Sequence, residues 1–115
     1  MNNVMTMVLR TPERDIALGM PGGRRIISVG PQMVSRLVDA GATCAQAALA
    51  PRLHVTGAEP MELEESAPDE LAGELESMGH SLIRKPRIGG AAAGAEFVKA
   101  SGTVCGGGGG VAVAL

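Results

Sequence analysis

The connection on which the fold depends reads Gly19-Met20-Pro21-Gly22-Gly23-Arg24-Arg25-Ile26. A strand-like apolar run leads into it, and apolar residues recur at helical spacing beyond it, so the pattern predicts a strand, a tight turn and a helix. Such a turn points backbone N–H groups outward at a helix N-terminus, where the helix dipole favours negative charge. Because Gly22 and Gly23 lack side chains, a carbonyl oxygen can approach the main chain and be held there as a developing oxyanion. Proline and glycine also occur in turns that only reverse the chain, so the motif alone leaves both interpretations open.

Short apolar runs define the elements on either side of this connection. Val4 to Leu9 and Asp15 to Leu18 are separated by residues typical of turns, which predicts a β-hairpin. On the other side, the helical spacing extends to a stop at Gly41. Pro31 lies inside that stretch and removes one backbone donor, so we expect a kink or a late restart of the helix there. The apolar positions of this helix are Ile26, Ile27, Met33, Val34, Leu37 and Val38.

The middle of the chain predicts a second helix and a strand. Thr43 is a suitable N-cap for a short helix that runs through Leu49. Met61 to Glu65 alternates apolar and acidic residues, which indicates a strand with the side chains of Met61 and Leu63 facing inward.

The last third of the chain predicts one more helix, a strand and a hairpin. Ser66 followed three residues later by Asp69 resembles a capping box, so we expect a helix to begin there. Ser81 to Arg84 predicts a strand, and Ala95 to Val104 a hairpin that turns at Ser101-Gly102. The apolar residues that we expect on one face of the helix are Leu71, Leu75 and Met78. Hairpins alternating with helices of this length favour an α/β domain of layered α+β architecture.

The composition fits one domain of 115 residues with a core that is short of large side chains. Phe97 is the one aromatic residue, which favours dependence on a partner chain. Hydrophobic residues make up 45% of the chain, more than a disordered sequence carries. A net charge of −2 without a basic stripe argues against a nucleic-acid partner, and the apolar runs are too short for a membrane span. The carboxylates from Glu59 to Glu76 predict a solvated surface rather than a metal site.

One stretch, Gly106 to Gly110, has low complexity. It lacks the Gly-Lys-Ser/Thr ending of a phosphate-binding loop, because Val111 follows it. We interpret it as a flexible linker or terminus, which divides the chain into residues 1–105 and a glycine-rich tail, residues 106–115. The sequence leaves open whether the apolar end is a strand or a tail.

Other residue types that often carry chemistry occur singly here. Cys44 and Cys105 match neither a CxxC pair nor a zinc spacing, so we interpret them as buried or idle thiols, with a disulfide left open. We expect structural roles for His54 and His80. Arg52 follows a proline that ends a helix, which favours a role in fixing the loop over carboxylate binding.

Several pieces of this sequence occur in the same order in one enzyme family. Its members carry Gly-Ser-Pro-Gly-Gly-Ser-Arg-Ile-Ile between a strand and a helix, where this chain has Gly19 to Ile27. Further on, the chain reads Gln32-Met33-Val34, then Ala50-Pro51-Arg52-Leu53-His54 for the family's Ala-Pro-Arg-Phe-His, then Met78-Gly79-His80. The chain thus resembles the C-terminal part of the small subunit of γ-glutamyltransferases (γ-glutamyltranspeptidases, glutathione hydrolases). The resemblance implies part of the four-layer αββα sandwich of N-terminal-nucleophile (Ntn) hydrolases.

The resemblance also implies roles for particular residues. Gly22 and Gly23 would be the catalytic oxyanion hole for the tetrahedral intermediate of γ-glutamyl transfer. The family holds the α-carboxylate of the γ-glutamyl group with two serines just before a Met-Ser-Pro, and Asn3 and Val4 stand at these positions here. Asn3 can still bind substrate by a hydrogen bond, whereas Val4 cannot, which departs from a glutathione-type site.

The family's nucleophile is a threonine freed by autoproteolysis, with its own α-amine as base. No threonine of this sequence has the Thr-Thr-His-like context of that cleavage, so we expect the nucleophile upstream of Met1 and no activity from the chain alone. The resemblance implies γ-glutamyl substrates such as glutathione, and no metal or organic cofactor. The partners that it implies are the remainder of the small subunit and a large subunit, or a second copy of the chain. The alternative is a non-catalytic α/β module that binds a carboxylate at the same turn or pairs with a larger chain. The compartment stays open.

Overall fold

The computed structural model describes residues 4–21, 24–89, 92–108 and 111–114. In chain order the elements are β1 (Val4–Arg10), β2 (Arg14–Pro21), α1 (Arg25–Val38), α2 (Cys44–Leu49), β3 (Leu53–His54), β4 (Met61–Glu64), α3 (Asp69–Ser77), β5 (Leu82–Lys85), β6 (Ala93–Val98), β7 (Thr103–Gly108) and β8 (Val111–Ala114). The chain divides into two compact units, one formed by Met1–Ala50 with Gly90–Leu115 and the other by Pro51–Gly89. None of the helices in the described ranges is long and apolar enough to cross a membrane.

The first unit is built on a five-stranded antiparallel sheet in the order β1-β2-β6-β7-β8. The predicted hairpin at the start of the chain is confirmed as β1 and β2, with Leu9 opposite Ile16. The predicted hairpin near the end is confirmed as β6 and β7, and its turn contains Gly102 at a φ of +68°. A positive φ is strained for other residues, which explains a glycine at this turn.

One face of this sheet carries the core of the first unit. On β2, alternate residues Ile16, Leu18 and Met20 are at most 1% exposed. Helix α1 lies against β1 and β2, and it buries Val29, Met33 and Leu37, which are spaced three to four residues apart. The side chains that recur every two residues along the strand and about every 3.6 residues along the helix therefore pack together in one apolar layer. The helix that the sequence predicted is confirmed.

Helix α1 is continuous through Pro31, so of the two predicted alternatives the late restart is wrong and the kink stays a prediction. Pro31 lies on the exposed side of the helix, and buried Val29 and Met33 on either side of it hold both halves against the sheet. The side-chain amide of Gln32 donates to the carbonyl of Ser28 over 2.7 Å, inside the turn where the proline removes a backbone donor.

The opposite face of the same sheet is open. Val8 lies opposite Ala17, and Ala17 opposite Ala95, so these three side chains share one row across the sheet. In the neighbouring row, Phe97 lies opposite Val104. Val8 is 63% exposed, Phe97 42% and Val104 40%. This face therefore presents apolar side chains to solvent.

Helix α2 is capped as predicted and lies on β6 and β7. The hydroxyl of Thr43 accepts from the N–H of Gln46 over 3.1 Å, and the Gln46 side chain accepts from the N–H of Thr43 over 3.0 Å. This reciprocal pair is a capping box. The helix approaches the sheet so closely that a Cβ on Gly107 would lie 2.8 Å from the backbone nitrogen of Ala45.

The glycine-rich stretch is thus not a linker over its first three residues. Gly106–Gly108 form the second half of β7 and pair with Ala93–Ala95 of β6. A Cβ on Gly108 would lie 2.5 Å from the carbonyl oxygen of Ala92, so glycine is required there by close backbone contact. The division into residues 1–105 and 106–115 remains a prediction about domain organisation.

The second unit contains a three-stranded sheet in the order β3-β4-β5. Strands β4 and β5 are parallel, with α3 as the connection between them, and β3 pairs antiparallel with β4. Met61 and Leu63 are buried, as predicted. The prediction of a solvated acidic surface is wrong for Glu64, which is 8% exposed.

Helix α3 differs from its prediction in two respects. It begins at Asp69 with Pro68 as N-cap, and Ser66 does not cap it, because the Ser66 hydroxyl lies 3.4 Å from a carboxylate oxygen of Glu64. No residue of the helix is buried, and Leu71 and Met78 are 37% and 71% exposed. The predicted apolar face exists as a pattern but is not part of a core within the described residues.

Candidate functional site

The β2–α1 junction is where the sequence predicts the oxyanion hole. Strand β2 ends at Pro21, and α1 begins at Arg25 with Arg24 as its N-cap. Gly22 and Gly23 lie outside the described residues. Arg24 has helical dihedral angles, φ −66° and ψ −25°, and its side chain makes no capping hydrogen bond. The first N–H groups of the helix therefore have no side-chain cap from this residue.

The other predicted site residue, Asn3, also lies outside the described residues. The backbone of Val4 pairs with Pro21 in the β1–β2 ladder. Asn3 is the chain neighbour of Val4, and Gly22 is the chain neighbour of Pro21. Asn3 and Gly22, although far apart in sequence, are thus the chain neighbours of two residues that pair with each other, Val4 and Pro21.

The charges at this junction favour an anion. Arg24 and Arg25 are exposed, and α1 has no acidic residue in its first turn. Basic residues at a helix N-terminus add to the positive end of the helix dipole instead of compensating it, at a cost of about 0.3–1 kcal/mol each at an exposed position. A negatively charged group at the junction would relieve that repulsion.

A second polar cluster of the first unit joins the ends of both helices to the sheet. One guanidinium nitrogen of Arg14 lies 2.6 Å from a carboxylate oxygen of Glu96 and 2.8 Å from the carbonyl of Ala42. The other donates to the carbonyl of Leu37, in the last turn of α1. The second oxygen of Glu96, which is 5% exposed, accepts from the N–H of Cys44 over 3.4 Å. The ion pair therefore positions the end of α1 and the start of α2.

The same cluster keeps the Cys44 thiol protonated. Burial and the neighbouring Glu96 carboxylate raise the pKa of Cys44, and the Arg14 guanidinium opposes them. A thiol is a strong nucleophile only as thiolate, so Cys44 is a poor nucleophile at neutral pH. Both cysteines are free.

In the second unit, a buried arginine and a buried glutamate bind the backbone of one residue, Ile88. A carboxylate oxygen of Glu64 accepts from the N–H of Ile88 over 3.0 Å, and Arg52 donates to the carbonyl of Ile88 over 3.4 Å. Burial lowers the pKa of Arg52, and the Glu64 carboxylate opposes that change. Arg52 thus fixes the loop that follows β5, in line with its predicted structural role.

The two histidines also take part in contacts within the second unit. His80 Nδ1 lies 2.8 Å from a carboxylate oxygen of Glu59, whose other oxygen accepts from the N–H of Ser81 over 2.9 Å. These hydrogen bonds hold the pKa of Glu59 below its ordinary value, and the bond with His80 has the largest effect. His54 Nε2 lies 4.0 Å from a carboxylate oxygen of Glu62. Both arrangements link strands or the residues next to them.

The first unit also contains a cleft at the β1–β2 turn. The cleft, about 540 Å³, is lined by the β1–β2 turn and the end of α1, including Arg10, Glu13 and Val38. It lies at the opposite end of β2 from the predicted oxyanion turn, roughly 25 Å along a strand of this length. No group of three or more His, Cys, Asp or Glu side chains among the described residues could hold a metal ion.

Sequence reasoning missed the buried carboxylates Glu64 and Glu96. A glutamate is rarely buried unless it is paired, and the partners, Arg52 and Arg14, are distant in sequence. No local signal was available for Glu96, because it stands between the apolar residues Ala95 and Phe97, and the exposure of Ala93 and Ala95 is seen only in the structure.

Comparison with solved structures identifies the fold class. The chain superposes on an acivicin-inhibited gamma-glutamyltranspeptidase with a TM-score of 0.76 and 23% identity, over 95% of this chain and 59% of that one. For a mutant of the Helicobacter pylori gamma-glutamyltranspeptidase, the TM-score is 0.76 and the identity 23%, over 95% of this chain and 60% of that one. For the Bacillus anthracis transpeptidase CapD, the TM-score is 0.74 and the identity 18%, over 94% of this chain and 65% of that one. The fold is part of an Ntn-hydrolase sandwich, as the resemblance implied.

Sequence comparison identifies the family. The gamma-glutamyltranspeptidase family model matches residues 3–108, and the chain belongs to that family. Two curated relatives are acylase ACY 1 proenzymes of Pseudomonas sp., from strains SE83 and V22, which are 36% and 34% identical over 84 residues. These matches cover 73% of this chain and 15% of each proenzyme, so the chain spans a small part of those relatives.

Proposed function

We propose that this chain is the C-terminal part of a γ-glutamyltransferase-like small subunit and that Gly22 and Gly23 form its oxyanion hole. The reaction is γ-glutamyl transfer or hydrolysis on glutathione-type substrates, and the nucleophilic threonine lies on polypeptide outside this chain. The observation that carries the proposal is the β2–α1 junction, where a strand ends at Pro21 and a helix begins at Arg25 without a side-chain cap.

The charge at the junction supports this role. A tetrahedral intermediate of acyl transfer carries its negative charge on one oxygen, and backbone N–H groups at a helix start stabilise such a charge. The first turn of α1 contains no acidic residue that would offset the positive end of the helix dipole. Asn3 adjoins the same pair of the hairpin, so it would bind the substrate close to the reacting carbonyl.

The open face of the five-stranded sheet supports the need for further polypeptide. An Ntn-hydrolase sandwich has two facing sheets, and here Val8, Phe97 and Val104 on one face are 40–63% exposed. Burying apolar surface of this kind stabilises an assembly by roughly 25 cal/mol for each Å² removed from water. We infer that the remainder of the small subunit and a large subunit cover it. A second copy of the chain is the alternative occupant, and sedimentation velocity of the chain alone distinguishes the two.

The first test compares the purified chain with the full-length polypeptide that contains it. We expect release of p-nitroaniline from γ-glutamyl-p-nitroanilide by the processed full-length protein and none by the chain. Turnover by the chain alone would refute the assignment of the nucleophile to another segment.

The second test addresses the oxyanion hole in the full-length protein. Replacing Gly22 with valine fills the space through which the carbonyl oxygen approaches, and loss of oxyanion stabilisation lowers kcat by about 10²–10³-fold. The matched control is Gly73→Ala in α3, where an added Cβ meets nothing within 4 Å. If Gly22→Val and Gly73→Ala turned over equally fast, Gly22 would have no part in the oxyanion hole.

A second candidate function is acylase-type hydrolysis of an amide whose acyl group lacks the α-carboxylate. The relatives at 36% and 34% identity are named acylases, and Val4 stands where the γ-glutamyltransferases hold that carboxylate with a serine. The comparison is between γ-glutamyl and 4-aminobutyryl anilides, which differ only by the α-carboxylate. Equal kcat/KM values for the two favour the acylase, and a strong preference for the first favours γ-glutamyl transfer.

A further inference from the structure

Four residues of β6 and β7 form a rectangle under the start of α2. Gly94 lies opposite Gly107, and Glu96 lies opposite Cys105. Directly opposite residues of an antiparallel pair share a face, as do residues two apart on one strand, so all four project toward the same side. The sides of this rectangle are roughly 5 Å across the strands and 7 Å along them.

Three corners of this rectangle contact the first two residues of α2. The Cys44 sulfur lies 2.9 Å from the position that a Cβ on Gly94 would take. The N–H of Cys44 donates to a carboxylate oxygen of Glu96 over 3.4 Å. A Cβ on Gly107 would lie 2.8 Å from the nitrogen of Ala45. The remaining corner is Cys105, so Cys44 lies directly over the group to which Cys105 belongs.

We propose that Cys44 and Cys105 are an oxidisable pair that forms a disulfide linking the start of α2 to β7. A bridge needs Cα atoms about 4.4–6.8 Å apart and Cβ atoms that face each other. The lack of side chains at Gly94 and Gly107 allows the helix to approach the sheet this closely, which brings Cys44 over the strands that carry Cys105. The influence of Cys105 on the pKa of Cys44 is consistent with this proximity.

The oxidant in this reaction is a low-molecular-weight disulfide, R′–S–S–R′. The Cys105 thiolate, the more exposed of the two, attacks one sulfur and releases R′–S⁻, giving a mixed disulfide. The Cys44 thiolate then attacks the Cys105 sulfur and releases the second R′–S⁻. The two protein thiols lose two electrons and two protons in total, and the external disulfide is reduced to two R′–SH.

The slow step follows from the surroundings of Cys44. Burial and Glu96 raise the pKa of Cys44, so little of it is thiolate at neutral pH. The mixed disulfide on Cys105 therefore precedes the bridge, and the bridge forms faster as the pH rises toward the pKa of Cys44.

The test uses the folded chain and 2-hydroxyethyl disulfide, an oxidant without a γ-glutamyl group, so the result does not depend on the proposed function. We expect the mass of the chain to fall by that of two hydrogen atoms. Trypsin without reductant should then release Leu37–Arg52 joined to Ala100–Leu115, and the two peptides should separate on reduction. In denaturing urea, the equilibrium yield of the bridge relative to the mixed disulfides should fall by about tenfold or more, because the fold no longer holds the thiols together.

Two variants complete the experiment. Cys44→Ser should stop at a mixed disulfide on Cys105, and Cys105→Ser should remain reduced at Cys44 over the time in which the parent chain forms the bridge. Mixed disulfides on both cysteines of the parent chain without a linked peptide, or equal bridge yields in buffer and urea, would overturn the proposal.

Discussion

Replacing Gly107 with alanine tests whether the glycine-rich half of β7 is a docking surface for α2. The new Cβ would lie 2.8 Å from the nitrogen of Ala45 and 2.9 Å from its Cβ, whereas ordinary contacts begin near 3.4 Å. Helix α2 must then move by about 0.6 Å, the difference between 3.4 and 2.8 Å. That movement weakens the hydrogen bond between Cys44 and Glu96. Overpacking of this kind costs about 1–3 kcal/mol.

The neighbouring glycine supplies a matched control. A Cβ on Gly106 meets only the carbonyl oxygen of Gly94, at 3.7 Å, which is an ordinary contact. Gly106→Ala should therefore stabilise the chain by about 0.4–1 kcal/mol, because alanine restricts the unfolded state. Gly107→Ala has the same gain from the unfolded state, but the cost of overpacking outweighs it. The two variants should therefore differ by about 1–3 kcal/mol in the free energy of unfolding.

The assay is urea unfolding followed by circular dichroism, since the chain has no tryptophan. The comparison holds where the dependence on urea is the same for both variants. Equal stability of Gly106→Ala and Gly107→Ala, or a stabilised Gly107→Ala, would refute the docking of α2 on this strand.

Three further substitutions probe the polar contacts. Glu96→Gln removes the counter-charge of the Arg14 guanidinium, which is largely buried, so the free energy of unfolding should fall by about 3 kcal/mol. A loss under about 1 kcal/mol, as for an exposed ion pair, would contradict the role of this pair. Glu59→Gln should remove a pH-dependent part of the stability. Because His80 holds the pKa of Glu59 below 4.5, that part is present above pH 4.5 and is lost as the pH falls through the lower pKa of the folded chain. The urea midpoints of the parent and the variant should therefore converge as the pH is lowered from 6 to 3. A constant difference between the two midpoints would contradict the contribution of Glu59. Thr43→Ala removes half of the capping box of α2 and should cost about 1 kcal/mol, whereas no change in the unfolding midpoint would mean that the cap is not formed in solution.

Local periodicity was sufficient to predict most elements of the fold. Both hairpins, the helix after the glycine turn and the strand predicted at Ser81 to Arg84, which is observed at Leu82–Lys85, follow from patterns within ten to fifteen residues. The start of α2 at Cys44 also follows locally, because a threonine cap acts on the N–H groups two or three residues beyond it.

The predictions that were wrong depend on contacts between distant segments. The composition of Gly106–Gly108 is that of a linker, and only the approach of Ala45 reveals why these residues form a strand. Glu64 was expected to be solvated because the N–H of Ile88, which it binds, and the charge of Arg52 are on other segments. The start of α3 is the exception, because it was misplaced through a local contact: the Ser66 hydroxyl bonds Glu64, two residues away, instead of the helix.

The candidate site was predictable only through the order of its motifs. The turn with Gly22 and Gly23 has the chemistry of an oxyanion hole and of a simple turn, and local physics does not separate the two. The collinear set of motifs identified the family, which the match over residues 3–108 confirms. The catalytic roles of Gly22, Gly23 and Asn3 stay predictions.

The first unit is discontinuous in the chain, since residues 51–89 stand between its two halves. Strand β2 pairs with β1 on one side and with β6 on the other, and α2 packs on strands that follow it by almost fifty residues. Until β6 has been synthesised, β2, which carries Ile16, Leu18 and Met20, therefore lacks its neighbouring strand on one side. A chain truncated before β6 would leave Arg14 without Glu96 and α2 without its sheet. Folding of this unit must wait for the C-terminal segment, and the second unit, which is continuous, can form first.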